Sequence, residues 1–154
     1  MKFDWNEYYI LAKWLVDTES NRSSNTVINS NAVLRCIISR AYYSAHCQAS
    51  KYLRKYEGLI WLPKYQMGTH EWVLNCFLKD SPRINYPLRS KKILNFEELT
   101  ASIYDDLYAL KVERIFADYK EYYPDLELQG LKLAQDCVRR SSDVLDNLEK
   151  LYCR

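Results

Sequence analysis

The stretch RCIISRAYYSAHCQASKY, residues 35–52, decides the fold of this chain of 154 residues. It lies in a longer segment, from Ser30 to about Lys55, that contains neither glycine nor proline and therefore predicts one long helix. At about 100° per residue, one line of this helix is apolar. That line consists of Leu34, Ile38, Ala41, Ala45, Ala49 and Tyr52. Its three alanines leave room for a neighbouring helix, so this line is the predicted core face.

The opposite face of the same helix is predicted to be polar. It carries Arg40, Ser44, Lys51, Arg54 and Lys55, while Tyr43 and His46 fall on the border between the two faces. Basic side chains on an exposed face are candidates for contact with phosphate groups. Ser44, Lys51 and Arg54 are therefore predicted binding residues, and a small nucleotide near Arg40, Lys51 and Arg54 is one alternative.

The rest of the chain also has helical patterns. Helices are predicted over residues 4–18, from Thr69 to before Pro82, over 96–119 and over 125–152, with Asp4, Ser30, Thr69 and Asp125 as N-caps. Only 3 glycines and 4 prolines are present, which favours few connections and disfavours an all-β fold. The predicted fold is all-α: a single-domain antiparallel bundle of about five helices, spanning residues 1–154.

Two connecting segments are polar. Residues 19–30 form a predicted loop that could order on binding a ligand. Residues 81–95 are basic, with Tyr86 among Arg83, Arg89, Lys91 and Lys92. An aromatic ring among cations fits contact with phosphates and a base, and a solvated loop is the simpler interpretation.

Composition excludes several classes of function. The start MKFDWNEYY lacks the apolar core of a signal peptide, and no apolar run approaches the roughly 20 residues of a membrane span. Five cysteines without metal-like spacing predict reduced thiols in a cytoplasmic protein. With only two histidines and no P-loop or GxGxxG pattern, we expect neither a metal site nor a cofactor.

Arg40 and His46 are the residues that could carry chemistry. A ribonuclease that works without metal needs a proton acceptor, a proton donor and a cation for the phosphate, and His46, Arg40 and a positioning Tyr43 supply these residue types. Six residues separate the pair by about 9 Å along a helix and about 120° around it. Arg40 would have to bend, or to act with a second subunit. A border histidine with an ordinary hydrogen bond is the alternative.

Arg114 lies on an otherwise apolar stripe of the predicted helix 96–119. A buried charge needs a partner, and Asp118 has the i,i+4 spacing that allows an ion pair. Arg114 is a predicted binding residue or, if the pair forms, part of the architecture.

The run ISRAYYSAHCQASKYL resembles the signature helix of the HEPN family, which is close to SRAYYAAFHAA. FDWNEYYILAKWL, THEWVLNCF, LYALKVERIFADYK and LKLAQDCVRRSSDVLDNLEKL resemble further helices of that family in the same order. The resemblance implies a compact helical bundle, usually a dimer. It also implies that Arg40 and His46 match the R-x(4–6)-H motif of metal-independent ribonucleases that act as toxins or in host defence.

The resemblance to HEPN proteins also implies alternative functions. Some pair with a small nucleotidyltransferase, and some bind nucleotides or have no catalytic activity. In a protein without catalytic activity, Ser39, Asp118 and Tyr119 would form a polar network with Tyr43 and either Arg40 or Arg114. This network would fix the register of the helices. The two hypotheses are thus a ribonuclease acting on RNA, with an antitoxin partner, and a non-catalytic module partnering a nucleotidyltransferase. The resemblance implies a homodimer in both cases, and 14 tyrosines, which are more aromatic surface than one small core hides, agree with it.

Overall fold

The regular elements in the described part of the chain are six helices. The computed structural model describes residues 4–22, 30–62, 67–78 and 95–152, and no strand occurs in these ranges. The helices are α1 (Asn6–Ser20), α2 (Ser30–Lys55), α3 (Thr69–Phe77), α4 (Phe96–Tyr119), α5 (Pro124–Gln129) and α6 (Leu131–Tyr152). The predicted all-α bundle is confirmed.

Helix α2 occupies the centre of the bundle. It packs against α1, α3, α4 and α6, while α4 and α6 also pack against each other. Its predicted apolar line is buried along its whole length, from Leu34 to Tyr52. Because four helices surround α2, little of its surface remains for solvent.

The last predicted helix is divided in two, so the bundle has six helices where about five were expected. Gly130 separates α5 from α6 and adopts a φ of 51°, a conformation that side chains with a Cβ rarely take. Pro124 occupies the first turn of α5, where its missing N–H costs nothing. The Asp125 cap is therefore wrong, since the N-cap residue is Tyr123.

The other predicted N-caps have different outcomes. The Asp4 carboxylate accepts the backbone N–H of Asn6 at 3.1 Å, although α1 begins only after Trp5. Thr69 is wrong as a cap because it is the first residue of α3 and extended Gly68 precedes it. Helix α2 includes Ser30 as its first residue.

The C-terminal end of α4 is capped by Arg35 of α2. Its guanidinium donates to the carbonyl oxygens of Phe116, Ala117, Lys120 and Glu121 at 2.7–3.2 Å. The Phe116 carbonyl also accepts the backbone N–H of Lys120 at 3.2 Å, and the guanidinium adds a cation that complements the helix dipole at this end. The contact fixes the end of α4 against the beginning of α2.

Part of the predicted loop 19–30 and almost all of the basic segment 81–95 lie outside the described residues. None of the helices in the described ranges combines the length and the apolar character that crossing a membrane requires.

Candidate functional site

Two stacked histidines lie where α2 meets α3. The rings of His46 and His70 have centroids 4.3 Å apart and planes inclined by 28°. Tyr42, one turn before His46 on α2, stacks on the His46 ring, and its hydroxyl is hydrogen-bonded to Nδ1 of His70 at 2.5 Å. The sequence separates the two histidines by more than twenty residues, and packing of α3 on α2 brings them together.

The two histidines differ in burial. His46 is 7% exposed, and burial, with smaller effects from His70, Arg114 and Lys111, lowers its pKa to about 3. His70 is half-buried, and its pKa is also lowered, by burial first and then by Arg114 and Lys111. Both rings are therefore neutral at pH 7, and His70 is the one that solvent reaches.

Arg114 of α4 lies beside this pair with most of its hydrogen-bonding capacity used within the chain. One guanidinium nitrogen, Nη2, donates to the hydroxyls of Tyr43 and Tyr119, the latter at 2.9 Å. Its Nε lies 2.7 Å from Oδ2 of Asp118, in an ion pair without the alignment of a hydrogen bond. The guanidinium carbon is also 5.0 Å from the centre of the Tyr43 ring. Arg114 is thus held in one position.

Lys111 completes the cationic side of the site. It precedes Arg114 by one turn of α4, and both residues lower the pKa of each histidine. We use the name histidine–arginine cluster for Tyr42, Tyr43, His46, His70, Lys111 and Arg114. It combines two neutral imidazoles, two cations and two phenol hydroxyls, which are the groups that hold a phosphate and move a proton.

Arg40 is directed elsewhere. Its guanidinium carbon lies 4.6 Å from the centre of the Tyr8 ring on α1, in a cation–π contact. His46 makes its ring contacts with Tyr42 and His70. Within one chain, therefore, the described structure brings Arg114, and not Arg40, to His46. An Arg40–His46 site across a subunit interface stays a prediction.

The remaining predicted site residues are dispersed. Ser44 has no exposed surface, so its assignment to the outer face of α2 is wrong, and the reason is that α2 is surrounded by helices. Ser39 is half-buried and makes no hydrogen bond to Arg114. Lys51 lines a cavity between α1, α2 and α6, whereas exposed Arg54 donates to the Ser50 carbonyl of its own helix.

His70, Tyr42 and Lys111 are absent from the predicted site. His70 carried a usable signal, since the chain has only two histidines and the resemblance of THEWVLNCF placed one of them in a helix. Lys111 offered none, because its position beside the histidines depends on how α4 packs.

Among the described residues, no three His, Cys, Asp or Glu side chains come close enough together to hold a metal ion. No family model, no curated protein and no solved structure matches the sequence.

Proposed function

We propose that this protein binds RNA at the histidine–arginine cluster and cleaves it without a metal ion. The observation that supports the proposal most directly is the stack of His46 on His70 beside Arg114 and Lys111. A neutral imidazole next to two cations can take a proton while the cations hold a phosphate. This function also agrees with what the HEPN resemblance implies, including a toxin or defence role.

His70 is the proposed proton acceptor. When its Nδ1–H donates to the Tyr42 oxygen, the lone pair on Nε2 is free to take the proton of an RNA 2′-hydroxyl. The 2′-oxygen then attacks phosphorus, and the 5′-oxygen leaves with a proton from Lys111. The products are a 2′,3′-cyclic phosphate and a 5′-hydroxyl.

Arg114 and His46 have supporting roles in this proposal. Arg114 contributes a fixed positive charge that stabilises the additional negative charge on the phosphate in the transition state. Tyr43 positions Arg114 through its hydroxyl. His46, with a pKa of about 3, is a poor acid or base near neutral pH. Its ring stacks on the ring of His70 and holds it in place.

The test is cleavage of mixed-sequence RNA by the pure protein in EDTA. His70→Asn retains an amide in reach of Tyr42 but removes the titratable ring, so we expect cleavage to fall about 100-fold or more. Lys111→Ala should also lower the rate, and Arg40→Ala is the matched control, because it removes a cation outside the cluster. Cleavage that disappears in Arg40→Ala and persists in His70→Asn would overturn this assignment.

A non-catalytic module is the second candidate, and one observation favours it. Tyr43, Asp118 and Tyr119 already engage Arg114, which is what a network that fixes helix register requires. RNA binding without cleavage, or co-purification with a nucleotidyltransferase encoded beside it, would select this function. Calorimetry with ATP and GTP tests the nucleotide-binding form of the same hypothesis.

A homodimer remains part of the proposal. Several large apolar side chains are exposed among the described residues, including Ile10 and Trp14 on α1, which are 63% and 59% exposed. Contiguous exposed apolar surface is typical of protein interfaces. The mass in solution at micromolar concentration tests this prediction, and a monomer contradicts it.

A further inference from the structure

A cavity of about 420 Å³ lies between α1, the second half of α2 and α6. This volume falls within the range of sites that bind small molecules. The cavity is separate from the histidine–arginine cluster, because none of the cluster residues lines it. Nothing in the proposed RNA chemistry uses it.

The charged side chains that line this cavity are Asp4, Lys51, Lys55, Asp146 and Glu149. Asp4 accepts the backbone N–H of Asn6, and Glu149 interacts with another group of the chain. Lys51 extends from α2 and Asp146 from α6, and neither makes an ion pair or a hydrogen bond with any residue in the described part of the chain. The other lysine of the cavity is engaged: Nζ of Lys55 donates to the Tyr56 hydroxyl at 3.0 Å. Lys51 and Asp146 therefore present a positive and a negative group to the same space.

An aromatic wall closes one side of the cavity. Tyr56 of the α2 C-terminal end and Tyr152 of α6 stack with ring centroids 5.0 Å apart and planes inclined by only 4°. Both rings are more than 40% exposed, so a ligand can reach them. On another side, the Tyr9 hydroxyl donates to Oγ of Ser142 at 3.1 Å and fixes α1 against α6. The cavity is thus held open by contacts between its own walls.

We propose that this cavity binds a small zwitterion that carries a flat apolar group, the chemistry of a free aromatic amino acid. The carboxylate of the ligand pairs with Lys51, its ammonium group pairs with Asp146, and its ring packs on the Tyr56–Tyr152 wall. A ligand with both charges engages both unpaired side chains at once, whereas an anion or a cation engages only one. The inference does not depend on the proposed RNA cleavage.

Calorimetry on the full chain tests the proposal with L-tryptophan as the probe. Its methyl ester lacks the carboxylate, and N-acetyl-L-tryptophan lacks the ammonium group. We expect each blocked compound to bind about tenfold or more weakly, the effect of losing one charge-assisted hydrogen bond. Adenosine monophosphate, with a flat base and an anion but no ammonium group, should bind more weakly than L-tryptophan.

Two variants assign the charges. Lys51→Gln should weaken binding of L-tryptophan and of the N-acetyl compound, but leave the affinity for the methyl ester unchanged. Asp146→Asn should weaken binding of L-tryptophan and of the methyl ester, but leave the affinity for the N-acetyl compound unchanged. Lys13→Gln and Asp105→Asn remove exposed charges outside the cavity and serve as matched controls with unchanged binding.

The proposal is overturned by no heat with millimolar L-tryptophan, by equal affinity for the blocked compounds, or by tighter binding of adenosine monophosphate. It is also overturned if the cavity variants bind as tightly as the controls do. Circular dichroism of each variant verifies that it is folded. RNA cleavage by Asp146→Asn, measured in parallel, should be unchanged, so failure here and failure of the proposed function are distinguishable.

Discussion

Helix α2 has two surfaces on which polar groups are arranged in opposite ways. On the side of α3 and α4, the tyrosine, histidine and arginine side chains of the histidine–arginine cluster contact one another, and Tyr42, His46 and Arg114 are buried. On the side of α1 and α6, Lys51 and Asp146 line a cavity without a partner among the described residues. One helix thus supports a closed network and an open cavity.

This contrast separates the side chains that stabilise the fold from those that remain able to bind a ligand. A buried polar group must be satisfied inside the chain, so the network on the α4 side contributes to folding and holds its groups in place. A charged group that stays in water contributes little to folding and keeps its capacity for a ligand. Mutations should therefore affect stability on one side and binding on the other.

Among single substitutions, the largest expected effect is the loss of Arg114. Arg114→Met leaves Asp118 without its cation and Tyr43 and Tyr119 without their donor, so we expect the free energy of unfolding to fall by roughly 3 kcal/mol. Urea unfolding measures it. Arg40→Met, which loses only a cation–π contact, should cost less than about 1 kcal/mol. Equal losses of unfolding free energy in Arg114→Met and Arg40→Met would show that the closed network does not stabilise the fold more than the cation–π contact does.

Acid should weaken the closed network through His46. Its pKa is about 3 in the folded chain and 6.5 ordinarily, so the unfolded chain takes up the proton at higher pH. The stability that neutral His46 contributes is complete above pH 6.5 and is lost progressively as pH falls towards 3, at about 1.4 kcal/mol per pKa unit. Thermal unfolding between pH 7 and 4 measures this loss.

His46→Gln is the control for the acid effect, since glutamine does not titrate. The wild-type chain should lose more stability than this variant as pH falls, and parallel pH profiles would show that His46 is not the group responsible.

The smallest expected effect is on the cavity side. Lys51→Gln and Asp146→Asn should each change the free energy of unfolding by less than about 0.5 kcal/mol, because neither side chain has a partner to lose among the described residues. Urea unfolding in the absence of ligand measures this. A loss comparable to that of Arg114→Met would mean that these charges stabilise the fold.

The sequence predicts the helices well and their contacts less well. The line from Leu34 to Tyr52 follows from a single period, so burial of that face was predictable from α2 alone. Ser44 was not, because a helical wheel shows one apolar face and cannot show that helices cover the other faces too. The break at Gly130 was signalled by the glycine itself, within an otherwise helical pattern.

The candidate site was only partly predictable. The i,i+4 spacing of Arg114 and Asp118 predicted a contact within one helix, and the structure contains it. The partner of His46 is His70, on a helix whose orientation no local pattern specifies. Contacts between residues far apart in sequence depend on packing, and this is why the sequence points to Arg40 and gives no signal for Lys111.

The Arg35 cap has a consequence for folding kinetics. It joins residues more than 80 positions apart, so it forms only once α2 and α4 are in contact. By then the chain has already lost the entropy that closing this long loop requires. A contact made after the transition state slows unfolding without speeding folding. In stopped-flow experiments, Arg35→Met should therefore unfold faster and fold at the same rate, and slower folding would place this contact in the nucleus. If only unfolding becomes faster in this variant, Arg35 determines how long the assembled bundle stays folded.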